Sequence, residues 1–242
     1  MDEQERASAA PSELPESMRR RLFIVIAAYN ESGAIAEVVR ELRTGYPNVV
    51  VVDDGSTDDT WQHAQAAGAI VLRHLVNRGQ GAALQTGITY ALTAGAEVIA
   101  TFDADGQHSP DDLPALVRPI FASEVDICLG SRFLGQVSAM PLHRRWMLHG
   151  AVAFTRLTSG LRLSDTHNGL RAFSRRAAQH FDIQLDRMAH ASELIDQVRS
   201  SALPYREIPV HIRYTRYSLA KGQRSSAALR VALEYLIGRL LR

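Results

Sequence analysis

Five short apolar, β-branched runs alternate with helical patterns up to residue 133, and that alternation most restricts what the chain can fold into. The runs are "RLFIVIAAY", "NVVVVDD", "AIVLRH", "EVIATFDAD" and "VDICLGSRF". Continuous apolar stretches of this length suit strands buried on both faces. Between them lie "SGAIAEVVRELRTG", "STDDTWQHAQAAG", "GQGAALQTGITYALTAG" and "SPDDLPALVRPIFAS". Ser56 with Asp59 reads as a capping box, Pro110 after Ser109 as a first-turn proline, and Gly45, Gly68 and Gly95 as helix ends. Strands alternating with helices predict an α/β fold, a doubly wound and mostly parallel sheet.

After residue 134 the pattern loosens. "PLHRRWMLHGAVAFTRLTSGL" and "RMAHASELIDQVRSS" read as helices, "NGLRAFSR" as a strand or turn, and "YREIPVHIRY" as a strand. Residues 1–20 are polar, contain Pro and Ser, and read as a disordered tail. Residues 21–223 form one large domain and 224–242 a terminal amphipathic helix. The chain has 242 residues, 46% hydrophobic and 22% charged, enough for one sizeable core.

A net charge of +1 leaves no electrostatic footprint for nucleic acid. The first twenty residues lack the apolar segment of a secretory signal, and no apolar run is long enough to span a bilayer. Cys128 is the single cysteine, so no intramolecular disulfide forms and a reducing compartment suits the chain. These features predict a cytoplasmic protein, soluble or peripheral.

Two of the apolar runs end in carboxylates: Asp53 and Asp54 after the second, Asp103 and Asp105 after the fourth. In an open α/β sheet, ligands bind outside the carboxyl ends of the strands. Asp103 and Asp105, two apart in extended chain, project to one side. Hard oxygen ligands at that spacing suit Mg²⁺ or Mn²⁺ bound to substrate phosphates. An isolated D-x-D more often caps a turn; here the acids close a buried run, and a second acidic strand end precedes them. "AAYNES" offers Tyr29 as a stacking surface and Glu31 as an acceptor, while Asp54 could accept from a base or ribose. "NRGQG" is a glycine-rich helix start able to bring N–H groups near an anion, and "GSRF" sets Arg132 to meet a phosphate.

Together, "AAYNE", "VVDDGSTDDT", "NRGQGAALQTG", "FDADGQH", "GSRF", "NGLRAF" and "EIPVHIRYTRYSLAKGQ" resemble family 2 glycosyltransferases of the GT-A fold. Dolichyl- and polyprenyl-phosphate sugar synthases are the nearest in pattern. The resemblance implies inverting transfer from a GDP-mannose or UDP-glucose type of donor to a lipid phosphate, with a divalent metal on Asp103, Asp105 and Gln107. It implies donor contacts at Ala27, Tyr29, Glu31, Asp54, Asp103, Ala104, Asp105 and Arg132. Lys221, the only lysine, matches the basic loop residue of the family, and its companion is Arg213 or Arg216. Ala27 stands where a proline is usual and Gln80 where a lysine is common, which removes a charge contact to the donor. Unlike many bacterial relatives, no transmembrane segments follow.

Breaking the glycosidic bond builds charge on a diphosphate, which the metal, Arg132 and Lys221 would offset. An alcohol acceptor would need a base, for which Asp165 and, behind it, Glu193 are the candidates; a lipid phosphate, already anionic, would not. Glu193 reads as an exposed helical carboxylate, and His108, His190 and His211 as structural. Nucleotidyl transfer is a rival reading, weakened by the lack of a glycine-rich lysine signature near the first strand. A nucleotide-sugar-binding regulator is another, weakened by the complete metal set. Leu229, Ala232, Leu233, Leu236, Ile237 and Leu240 line one stripe of the last helix, and His211–Arg242 holds seven Lys/Arg against Glu234. That helix lies on anionic lipid, packs on the sheet, or meets a small integral-membrane partner.

Overall fold

The computed structural model describes residues 14–134, 161, 163–166, 168–183 and 190–213, with the backbone alone at 190–192. Seven strands form one sheet: β1 Leu22–Ala28, β2 Val49–Asp53, β3 Ile70–Arg73, β4 Val98–Asp103, β5 Ile127–Ser131, β6 Arg171–Ser174 and β7 Tyr205–Pro209. Their spatial order is β3-β2-β1-β4-β6-β5-β7. Only β6 runs against its neighbours, so the sheet is mostly parallel, as the run–helix alternation requires. The helices are α1 Glu16–Arg19, α2 Ile35–Gly45, α3 Thr60–Ala66, α4 Gln80–Thr93, α5 Leu113–Phe121, α6 Arg175–Ala178 and α7 His190–Ser201, and a 3₁₀ turn spans Pro110–Asp112.

Successive strand residues face opposite sides, which divides the core in two. Ile24, Ile26, Val49, Val51, Ala100 and Phe102 pack with Val38 and Leu42 of α2 and Leu116 of α5. On the other face Val25, Val50, Val52 and Ile99 meet Leu84 and Ile88 of α4 and Leu194 and Val198 of α7. Each fully buried aliphatic side chain contributes about 1.5–3 kcal/mol. Cys128 lies buried in β5, and burial pushes its thiol up to about 12, which rules out a thiolate nucleophile.

The expected Ser56–Asp59 capping box does not form. α3 begins only at Thr60, with Asp59 before it making no side-chain cap bond. Ser56 Oγ instead accepts from the Asn30 backbone N–H at 2.9 Å. The loop after β1 turns sharply there, with Asn30 at φ +53°, and its N–H takes Ser56, while Asp58 Oδ1 accepts from the Thr60 N–H at the start of α3 at 3.1 Å. Elsewhere the signals hold: Ser109 accepts from the Asp111 N–H ahead of Pro110, and Gly68 and Gly95 follow α3 and α4 at positive φ.

Strand order reverses beside β1, whose partners are β2 on one side and β4 on the other. Register pairs Ala28 with Asp53 and Ala27 with Asp103. The two acidic strand ends therefore flank the end of β1 at the topological switch point, where open α/β sheets hold ligands.

Candidate active site

Two loops at this edge brace each other. Asn30 Oδ1 accepts from Thr57 N–H at 2.9 Å, Glu31 N–H donates to Thr60 Oγ1 at 2.8 Å, and Ser32 N–H donates to Asp58 Oδ2 at 3.3 Å. The small polar residues of "YNES" and "GSTDDT" thus satisfy one another's backbone and hold Tyr29 and Glu31 at the crevice mouth. Tyr29 is exposed, as a stacking platform needs to be. Ala27 lies within the β1 ladder, paired with Val52 of β2 and Asp103 of β4.

Asp54 sits deeper than a nucleoside contact at the strand tip would suggest. It is buried; Oδ1 meets Arg78 N–H at 2.9 Å and His74 Nδ1 at 2.7 Å, and Oδ2 accepts Gly79 N–H at 2.7 Å. The glycine-rich loop does bring its N–H groups to an anion, and Asp54 supplies it. Gly55, at φ +71°, lets the chain pass this loop closely: a Cβ there would stand 2.7 Å from Asn77 N. Asp53 is wholly buried, held at 3.3 Å by Arg73, whose guanidinium lies over the Trp61 ring.

At the end of β4 the two carboxylates differ. Desolvation raises Asp103, but a 2.9 Å hydrogen bond with His108 Nε2 and the charges of Arg171 and Arg132 outweigh it, leaving Asp103 below the usual range. Asp105 goes the other way, raised by burial, then by the negative charge of Asp103, and further by Glu31. Gln107 N–H and Nε2 donate to Asp105 at 3.0 and 2.6 Å. Ala104, between the acids, turns its methyl into the core.

Among the described residues no three His, Cys, Asp or Glu side chains converge as a metal group. Two carboxylates, one raised by burial and by the charge of the other, still fit a Mg²⁺ or Mn²⁺ that takes its remaining ligands from water and phosphate. Gln107 presents its N–H to Asp105; serving as a ligand requires turning the amide to expose Oε1.

Arg132 follows β5 and is buried against Asp165, whose Oδ2 accepts both its backbone N–H at 3.1 Å and its Nε–H at 2.6 Å. Arg171, on β6, lies buried beside Asp103 and Asp165: burial pulls its guanidinium down and the two carboxylates hold it up. Gly169 touches Asp103, and Thr101 Oγ1 donates to the Gly169 carbonyl at 2.6 Å.

Arg213 joins the same loop as the β4 acids, its N–H donating to Gln107 O at 2.9 Å and Nη2 to Ser109 Oγ at 2.6 Å. Lys221, Arg216 and the terminal helix lie outside the described residues. Among the described residues no helix is long and apolar enough to cross a membrane.

Some site residues escaped the sequence reading. His108, read as structural, orients Asp103. Arg171 had a signal in "NGLRAF", a charge inside an apolar strand run. Glu193, read as exposed, is 2% exposed. Its helix packs Leu194 and Ile195 inward, and Glu193 goes in with them.

Residues 23–181 match the family model for glycosyl transferase family 2. The chain is 33% identical over 223 residues to UDP-N-acetylglucosamine–dolichyl-phosphate N-acetylglucosaminyltransferase of Methanococcus voltae, covering 83% of this chain and 89% of that one. It is 28% identical over 225 residues to polyprenol monophosphomannose synthase of Mycolicibacterium smegmatis, covering 88% and 84%. In fold it is similar to a crystal structure of glucosyl-3-phosphoglycerate synthase from Mycobacterium tuberculosis in complex with Mn²⁺, UDP-glucose and phosphoglyceric acid. There the TM-score is 0.70 at 19% identity, covering 90% of this chain and 77% of that one. The sheet is that of the GT-A glycosyltransferases.

Proposed function

Because the chain belongs to glycosyl transferase family 2, we propose that it moves a sugar from a nucleoside-diphosphate donor to a polyprenyl or dolichyl phosphate. Two similar proteins carry names for that reaction class, one with N-acetylglucosamine and one with mannose. The observation that carries the reading is the pair of acidic strand ends flanking β1, with Arg132 two strands beyond.

In this reading Tyr29 and Glu31 meet the nucleoside, and Asp54 acts on it through the loop it holds. Asp103 and Asp105 would hold Mg²⁺ or Mn²⁺, which when bound offsets charge on the diphosphate. Arg132, its guanidinium fixed by Asp165, faces the same developing charge, joined by Arg213 and, as the family resemblance implies, by the charge of Lys221. His108 and Arg171 keep Asp103 ionised and ready to bind cation. A phosphate acceptor arrives already anionic, so no side chain need take a proton, and Asp165 serves to orient Arg132. Displacement in line with the leaving diphosphate inverts the anomeric carbon. The acceptor is a membrane lipid, so the protein works peripherally, on the cytoplasmic face where nucleotide sugars are available.

The test is incubation with radiolabelled UDP-N-acetylglucosamine, UDP-glucose and GDP-mannose, each with polyprenyl phosphate and Mg²⁺ or Mn²⁺. Label passing into the organic phase with one donor supports the reading. Label released only as free sugar, or not released at all, rejects it.

A further inference from the structure

The edge strand β7 carries a carboxylate that the reaction above does not use. Glu207 pairs in register with Leu129 of β5 and reaches across to the loop before β6. Its Oε1 accepts from Ser164 N–H at 2.9 Å, Ser164 Oγ at 2.7 Å and Asp165 N–H at 3.2 Å, and its Oε2 lies 3.0 Å from the same Ser164 N–H. On the opposite side, Ser131 Oγ meets Ser164 Oγ at 2.6 Å. Ser131 is fully buried, ends β5 and immediately precedes Arg132. Ser164 is thus held between Glu207 and Ser131, and Asp165 follows with its own N–H on Glu207.

These contacts end on one side chain. Asp165 takes the Arg132 backbone N–H and Nε–H on a single oxygen, which fixes the plane of the guanidinium. Carboxylate bonds to N–H and O–H groups are the strong, short kind, and a chain of them transmits position. A 164–165 loop without Glu207 would keep the Asp165–Arg132 pair but lose the frame that places the pair against the sheet. We infer that Glu207 is a positioning residue: through Ser164 and Asp165 it sets where Arg132 presents its charge to the leaving diphosphate. This rests on the glycosyltransferase reading, because Arg132 must act on the reaction for its position to matter.

The graded series Glu207→Gln and Glu207→Ala tests it. With its Oε1 unchanged, Gln keeps three of the four contacts and turns only an N–H₂ toward Ser164 N–H. Transfer from the donor that the wild type uses is measured for both variants, alone and combined with Arg132→Ala. The expected result is a kcat lowered two- to fivefold by Gln and at least tenfold by Ala, with KM for donor changed less than kcat. In the Arg132→Ala background, Glu207→Ala should cost less than twofold further. Equal losses in both backgrounds would make Glu207 a merely structural residue and overturn the proposal, as would an Ala variant with wild-type kcat. Thermal melts separate these outcomes from unfolding, and the Gln variant, near in shape and hydrogen bonding, keeps the test available if Ala does not fold. A wild type that transfers no sugar removes the reading beneath the proposal. A wild type that transfers while the cycle shows no coupling removes this proposal alone.

Discussion

Asp103 occupies the space where a side chain at Gly169 would stand. A Cβ built on Gly169 falls 2.5 Å from Asp103 Cγ and nearer still to both oxygens. The carboxylate at the end of β4 therefore rests on the backbone that leads into β6, and Thr101 Oγ1 on the Gly169 carbonyl holds that backbone in place. Substitution Gly169→Ala must move Asp103 or the loop. Transfer should drop at least tenfold, with the Mg²⁺ or Mn²⁺ concentration for half-maximal rate shifted upward. Unchanged metal dependence would show that the loop gives way instead of the acid.

Asp105 is held in an unfavourable state. Burial comes first, then the charge of Asp103, and both raise its pKa above the ordinary carboxyl value. The sign follows: above that raised pKa the ionised group costs the fold stability, and the cost disappears as pH falls through it. Without divalent ions, Asp105→Asn should melt higher than wild type at neutral pH, with the gap closing in acid. In the same variant, transfer should fall at least a hundredfold, the scale of losing a preorganised charge-stabilising group. A gain in stability with full activity would leave Asp105 as an ordinary buried acid.

Asp54 supports a loop, and its removal should show in two measurements. Hydrogen bonds to a charged group are each worth about 1.5–3 kcal/mol, and three donors meet this one. Asp54→Asn turns an N–H₂ toward one of those N–H groups, so chemical denaturation should report a loss of about 2–3 kcal/mol. Calorimetry with UDP and GDP should show weaker binding of whichever nucleotide the wild type binds. Lost stability with unchanged affinity would separate the loop from the donor pocket.

The sheet and the site were legible to different degrees. Strands β1, β2, β4 and β5 announced themselves because burial on both faces demands unbroken apolar runs; the edge strand β3 is only partly buried and was legible from its short apolar run alone. Acids ending two of those runs could be read as a crevice. What remained hidden is contact across long sequence separation. Nothing local in "EIPVH" says that Glu207 reaches Ser164, nor in "FDADGQH" that His108 turns back onto Asp103. The capping signal at Ser56 failed for the same reason, since its true partner, Asn30, lies on another strand's loop. Asp54 is legible by position, but its bonds to the Arg78 and Gly79 N–H groups are not, because a strand-end acid looks the same in sequence whether it meets a ligand or its own backbone.

Gly87 lies in the middle of α4, where glycine costs a helix about 1 kcal/mol relative to alanine. The packing explains its presence. A Cβ at Gly87 would fall far inside contact with Val25 Cγ1 and 3.2 Å from Val52 Cγ2, both on fully buried strand residues. α4 thus lies close on β1 and β2, and through Gly79 at its start it carries the loop that Asp54 holds. Gly87→Ala gains the propensity term and loses more to overpacking, which typically costs 1–3 kcal/mol, because valine methyls are short and have nowhere to turn. Chemical denaturation should show a net loss of about 1–2 kcal/mol. Adding Val25→Ala opens the space, so the double variant should be more stable than the sum of the two single effects predicts. Strict additivity would mean that the helix shifts bodily off the sheet, and nucleotide affinity, measured alongside, should then fall as the Asp54 loop moves with it.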